Sequence, residues 1–77
     1  MNAERRKLLA KAEELLAQAQ TLIEEARDGE QEAYDNLPES FQDGEKGQTM
    51  SEAIDNLEAA IQSLEDAVST IDDAKGS

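Results

Sequence analysis

No cysteine and no histidine occur among these 77 residues, which removes disulfide staples and the usual nitrogen and sulfur ligands of zinc. The same absence strips any serine of an imidazole or thiol companion. Ser40, Ser51, Ser63 and Ser69 therefore read as surface hydroxyls rather than activated nucleophiles. Tryptophan is missing too, and Tyr34, Phe41 and Pro38 are the only residues of their kinds, a composition poorly suited to β-sandwiches and barrels. No apolar run approaches the ~20 residues of a membrane span, and Met1-Asn2-Ala3-Glu4 leads into charge rather than an apolar signal segment. The expectation is a soluble, cytoplasmic, non-enzymatic helical protein with no cofactor and no metal.

Acid is plentiful, and its distribution matters more than the net charge of −12. Residues 1–27 balance Arg5, Arg6, Lys7, Lys11 and Arg27 against Glu4, Glu13, Glu14, Glu24 and Glu25. The remaining chain sets only Lys46 and Lys75 against fourteen acids, so all of the net charge lies there. Such a surface repels phosphate backbones and anionic lipid, and suits a basic partner.

Apolar residues carry the architecture. Met50, Ile54, Leu57, Ile61, Leu64, Val68 and Ile71 alternate four- and three-residue spacings, the heptad of a helix built to meet another helix. Ala53, Ala60, Ala67 and Ala74 widen that face to roughly three positions in seven. Upstream, Leu8, Ala12, Leu15, Ala19, Leu22 and Ala26 follow the same rhythm, and Leu9, Leu16 and Ile23 form a neighbouring row.

The first helix is expected over residues 3–36, running through Gly29 because Ala33 keeps the phase. Leu37-Pro38 supplies the stop, since a residue before proline avoids the α region. Residues 37–48 read as the connection, with Pro38 opening a short helical turn through Phe41 and with Gly44 and Gly47 loosening the backbone. Thr49-Met50-Ser51-Glu52 matches a capping box, so the second helix is expected over 49–75.

Charge argues for the orientation. Arg5, Arg6 and Lys7 lie at a helix N-terminus, where the macrodipole disfavours cations, and an antiparallel partner would bring Glu65, Asp66, Asp72 and Asp73 alongside. The expected fold is all-α, an antiparallel helical hairpin. A chain this short buries a modest core, so two hairpins are expected to pair as a homodimeric four-helix bundle. The expected oligomer interface comprises Ile54, Leu57, Ile61, Leu64, Val68, Ile71, Leu15, Leu16, Leu22 and Ile23. The alternative is a parallel two-stranded coiled coil through the second helix, which Ile54, Ile61 and Val68 at one core position and Leu57 and Leu64 at the other also suit.

Carboxylate doublets such as Glu13-Glu14, Glu65-Asp66 and Asp72-Asp73 point in divergent directions on a helix, which marks solvated faces rather than acid/base pairs. Asp43-Gly44-Glu45 lacks the alternating ligands of a calcium loop, and Gly44 and Gly47 lack the lysine and hydroxyl of a phosphate loop. The expected partner-binding residues are Tyr34, Leu37, Pro38 and Phe41, which gather both aromatics and the proline at the hairpin tip like binding anchors. The competing interpretation is that Tyr34, Leu37 and Phe41 plug the end of the bundle.

The run Gln31-Glu32-Ala33-Tyr34-Asp35-Asn36-Leu37-Pro38-Glu39-Ser40-Phe41-Gln42, then Gly44-Glu45-Lys46-Gly47 and Met50-Ser51-Glu52-Ala53-Ile54-Asp55-Asn56-Leu57-Glu58, resembles a signature of small acidic helical proteins from phages, prophages and mobile elements. Most of these look uncharacterised. The resemblance implies a mobile-element source, a host cytoplasm as location, and a protein that binds a host protein and inhibits a defence system. Two other functions fit the composition. An acidic face of Glu58, Glu65, Asp66, Asp72 and Asp73, with Glu52 and Asp55 upstream, would make a DNA mimic, although these seven acids give about one charge per 5–6 Å of helix against roughly one per 1.7 Å in a duplex. A small-molecule sponge would hold its ligand between protomers, with Arg5, Arg6, Lys7, Lys11 and Arg27 as the available cations.

Overall fold

In the computed structural model, which describes residues 1–76, the chain forms α1 (Ala3–Asp35), a single turn α2 (Glu39–Gln42) and α3 (Glu45–Lys75). No strand occurs among the described residues. The two long helices lie side by side and antiparallel in a hairpin 58 × 15 × 12 Å.

α1 starts where Asn2 accepts a hydrogen bond from the Arg5 amide at 2.9 Å, satisfying one of the amides that a helix start leaves without a partner. It runs unbroken through Gly29 and stops before Leu37-Pro38, where the Asn36 amide closes on the Glu32 carbonyl.

α3 begins four residues earlier than the capping-box pattern suggests. Gly44, in an extended conformation, is its N-cap and Glu45 occupies its first turn, where the dipole favours an acid. Thr49 caps nothing; its hydroxyl donates to the Glu45 carbonyl one turn back at 3.0 Å. The connection expected over 37–48 thus contracts to two short joints around α2. Gly47 is buried on the first turns of α3 rather than lying in a loop. The last residue of α2 crosses so closely that a Cβ at Gly47 would lie 2.7 Å from the Gln42 α-carbon, and nearer still to the Gln42 carbonyl.

Two heptad-spaced rows of α1 face α3. Leu9, Leu16 and Ile23 form the apolar row, each half-buried. Arg6, Glu13 and Gln20 form a polar row beside it: Arg6 Nε donates to the Lys75 carbonyl at 3.0 Å, Lys75 pairs with Glu13, and Gln20 Nε2 donates to Glu65 Oε1 at 3.2 Å. The compensation of the N-terminal cations therefore differs from the expected pairing with Glu65, Asp66, Asp72 and Asp73. Arg6 instead caps the negative end of the α3 dipole, and α1 supplies the acid for Lys75.

On α3, Ile54 and Ile61 are 7% and 6% exposed, and Leu57, Leu64, Val68 and Ile71 are half-buried. The seam expected to join protomers is thus largely occupied within one chain. Leu8, Leu15 and Leu22 are left outside, 67%, 53% and 66% exposed. Adjacent residues of a helix point about 100° apart, so α3 cannot cover both leucine rows, and the 9-16-23 row is the one in phase with the polar latches.

The two interior glycines should respond oppositely to one methyl group. Gly29→Ala meets open space and should stabilise the chain by about 0.5–1 kcal/mol through helix propensity. Gly47→Ala should destabilise it by roughly 1–3 kcal/mol, because α2 must move away from α3. Chemical denaturation of both variants at one protein concentration checks the pair.

Candidate functional site

The tip joining α1 to α3 is a small built platform. Pro38 precedes α2 with its carbonyl accepting from the Phe41 amide at 2.8 Å and the Gln42 amide at 3.1 Å. The Leu37 amide donates back to the Tyr34 carbonyl at 3.0 Å. Gln42 then ties the whole together: its side-chain Nε2 donates to the Tyr34 and Leu37 carbonyls, each at 3.1 Å. Both acceptors lie at the end of α1, where carbonyls have run out of helical partners. Gly47 lets the same glutamine approach α3 from the other side.

Four residues expected to bind a partner separate into two groups. Tyr34 and Leu37 are half-buried and support the platform, while Pro38 is exposed. Phe41, the only phenylalanine, is 56% exposed and stands on α2 between the latched carbonyls and α3. Of the residues expected either to bind or to plug the hairpin end, Tyr34 and Leu37 are thus partly covered, and Phe41 is more than half exposed.

Around it the surface is acidic. Glu39, Asp43 and Glu45 are exposed within four residues of Phe41, with Lys46 the nearest cation along the chain. An apolar ring surrounded by carboxylates is chemically suited to an apolar pocket bordered by arginine or lysine.

Elsewhere, Glu58, Glu65, Asp66, Asp72 and Asp73 are all exposed on α3. Most of them are engaged: Glu65 accepts from Gln20, Asp66 from Gln62 Nε2 at 3.0 Å, Asp72 lies 3.9 Å from Lys75, and Asp73 also has a partner. No group of three or more acids that could hold a metal is present among the described residues. No cavity opens between the helices among the described residues. Among the described residues no helix is long and apolar enough to cross a membrane.

The sequence pattern marks neither the latch made by Gln42 nor the packing role of Gly47, which it presents as loop glycine. The available signal was a glutamine with two amide hydrogens a few residues past the end of α1, followed by a glycine at the start of the next helix. No family model, curated protein or solved structure matches this chain.

Substitutions at the tip should separate support from display. Gln42→Leu removes both donors and should cost about 1–2 kcal/mol, with faster hydrogen exchange at the Phe41–Gly44 amides. Tyr34→Ala should cost a similar amount through lost packing, whereas Phe41→Ala should change stability by less than about 0.5–1 kcal/mol.

Proposed function

We propose that this chain is a non-enzymatic protein-binding module whose contact site is the Phe41 platform, with Phe41 entering an apolar pocket and Glu39, Asp43 and Glu45 meeting basic residues at its rim. One observation carries the reading: the lone phenylalanine is displayed 56% exposed on a turn fixed by Gln42 and Gly47. A preorganised aromatic loses little conformational freedom on binding, which is how a small site gains affinity. The turn and acidic helix that resemble phage and mobile-element proteins support a host protein as the target, met in the host cytoplasm, and inhibition of a host defence system as the consequence. Tyr34 and Leu37 serve as the support of the site rather than its anchor, and exposed Pro38 contributes its carbonyl to the turn that carries Phe41.

The test is affinity capture from lysate of the source bacterium, at low and high salt, with wild type, Phe41→Ala and Phe41→Trp. A single protein retained by wild type at high salt, lost with Phe41→Ala and recovered with Phe41→Trp, is the expected result. Capture that vanishes in high salt and ignores Phe41 would move the function to the acidic face of α3 and to mimicry of nucleic acid.

A further inference from the structure

Leu8, Leu15 and Leu22 stand seven residues apart in a straight line along the outer side of α1, with Ala12, Ala19 and Ala26 beside them. Three leucines more than half exposed in one row, spanning about 21 Å of helix, are unlike the scattered apolar residues of an ordinary surface. We propose that this row is the seam of a homodimer in which the α1 helices of two copies pack antiparallel, Leu15 against the partner's Leu15 and Leu8 against the partner's Leu22.

The shape leaves that row uncovered. The chain exposes 5490 Å², against about 4,600 Å² for a compact folded protein of its mass, because a rod keeps its long sides open, and the leucine row lies along one of them.

Charge sets the direction. The start of α1 carries Arg5, Arg6, Lys7 and Lys11 against Glu4, Glu13 and Glu14, a small positive excess, and its end carries Glu24, Glu25, Asp28, Glu30, Glu32 and Asp35 against Arg27 alone. Two parallel copies would stack like on like, whereas a twofold axis near Leu15 brings the basic end of each α1 to the acidic end of the other. That register sets Arg5 level with the partner's Glu25. Neither side chain has an ion-pair partner among the described residues of its own chain. The opposed helix dipoles add to the same preference. The alanines beside the leucines keep the two helices close, since they place no bulk between them.

The seam expected from sequence drew on both helices, including Ile54, Leu57, Ile61, Leu64, Val68 and Ile71, which the hairpin itself occupies. The proposed one uses α1 alone and does not depend on what Phe41 binds.

The experiment exploits the absence of cysteine. Sedimentation equilibrium should give wild type twice the 8.4 kDa of one chain. Leu15→Glu should keep its helicity, because that side chain is outside the hairpin, while raising the dimer dissociation constant at least about 100-fold. Leu8→Cys and Leu22→Cys chains, each otherwise intact, should form a mixed disulfide on oxidation when combined, and Leu8→Cys alone should not cross-link. A wild-type monomer at all concentrations, a dimer indifferent to Leu15→Glu, or Leu8→Cys linking to itself would each overturn the proposal.

Discussion

Two helices cannot surround anything. Each can cover one side of the other, so a hairpin of this kind has a line of contact rather than a centre, and among the described residues only Gly47, Ile54 and Ile61 are buried. Every other apolar residue of the seam keeps an edge in water. Burial per residue is therefore small, and the stability of the helices rests on how completely that line is used. The edges of the line become important for the same reason. Arg6, Glu13 and Gln20 bind α3 at its C-terminal half, and fix both the separation and the rotation of α1.

Rotation is the quantity on which the surface chemistry depends. Turning α1 by one residue would exchange the 9-16-23 row for the 8-15-22 row and hide the leucines that now face outward. The polar row excludes that alternative, because Arg6, Glu13 and Gln20 would lose their acceptors and donors together. The tip acts in the same sense. Tyr34 is in phase with the polar row, and its half-buried side chain and latched carbonyl hold the end of α1 at the angle its beginning requires.

Much of this was legible in sequence because helix period, proline and charge act locally. The heptad from Met50 to Ile71, the continuation of α1 through Gly29, the stop at Leu37-Pro38 and the antiparallel direction all follow from such signals. Leu8 and Leu9 show where they end. Two adjacent apolar rows are equivalent on a helical wheel, and what chooses between them is the pairing of Glu13 with Lys75 and Gln20 with Glu65, residues 62 and 45 positions apart. Gly47 misled for a related reason. A glycine near another glycine reads as loose backbone, and only the approach of Gln42 from outside the helix shows that the missing side chain is needed for packing. Thr49 satisfied a local cap pattern, but Gly44 and Glu45 allowed the helix to start one turn earlier, leaving that threonine inside it. At the tip the sequence gathers both aromatics but does not give their exposure, since Tyr34 lies half-buried at the end of α1 and Phe41 exposed on α2.

The two proposed surfaces lie on different parts of the rod, the leucine row along the first two-thirds of α1 and Phe41 beyond its end. An antiparallel pairing about Leu15 would send the two tips to opposite ends of an assembly somewhat longer than the 58 Å of one hairpin. Neither tip would be covered by the dimer seam, and each would lie past the start of the other chain's α1, where Arg5, Arg6 and Lys7 are gathered. The geometry would favour partners with two separated copies of the target site, for which a second contact adds affinity without any new chemistry. A target with one site would gain nothing from the pairing. The spacing of the tips thus converts a question about the subunit interface into one about the symmetry of whatever the tips bind.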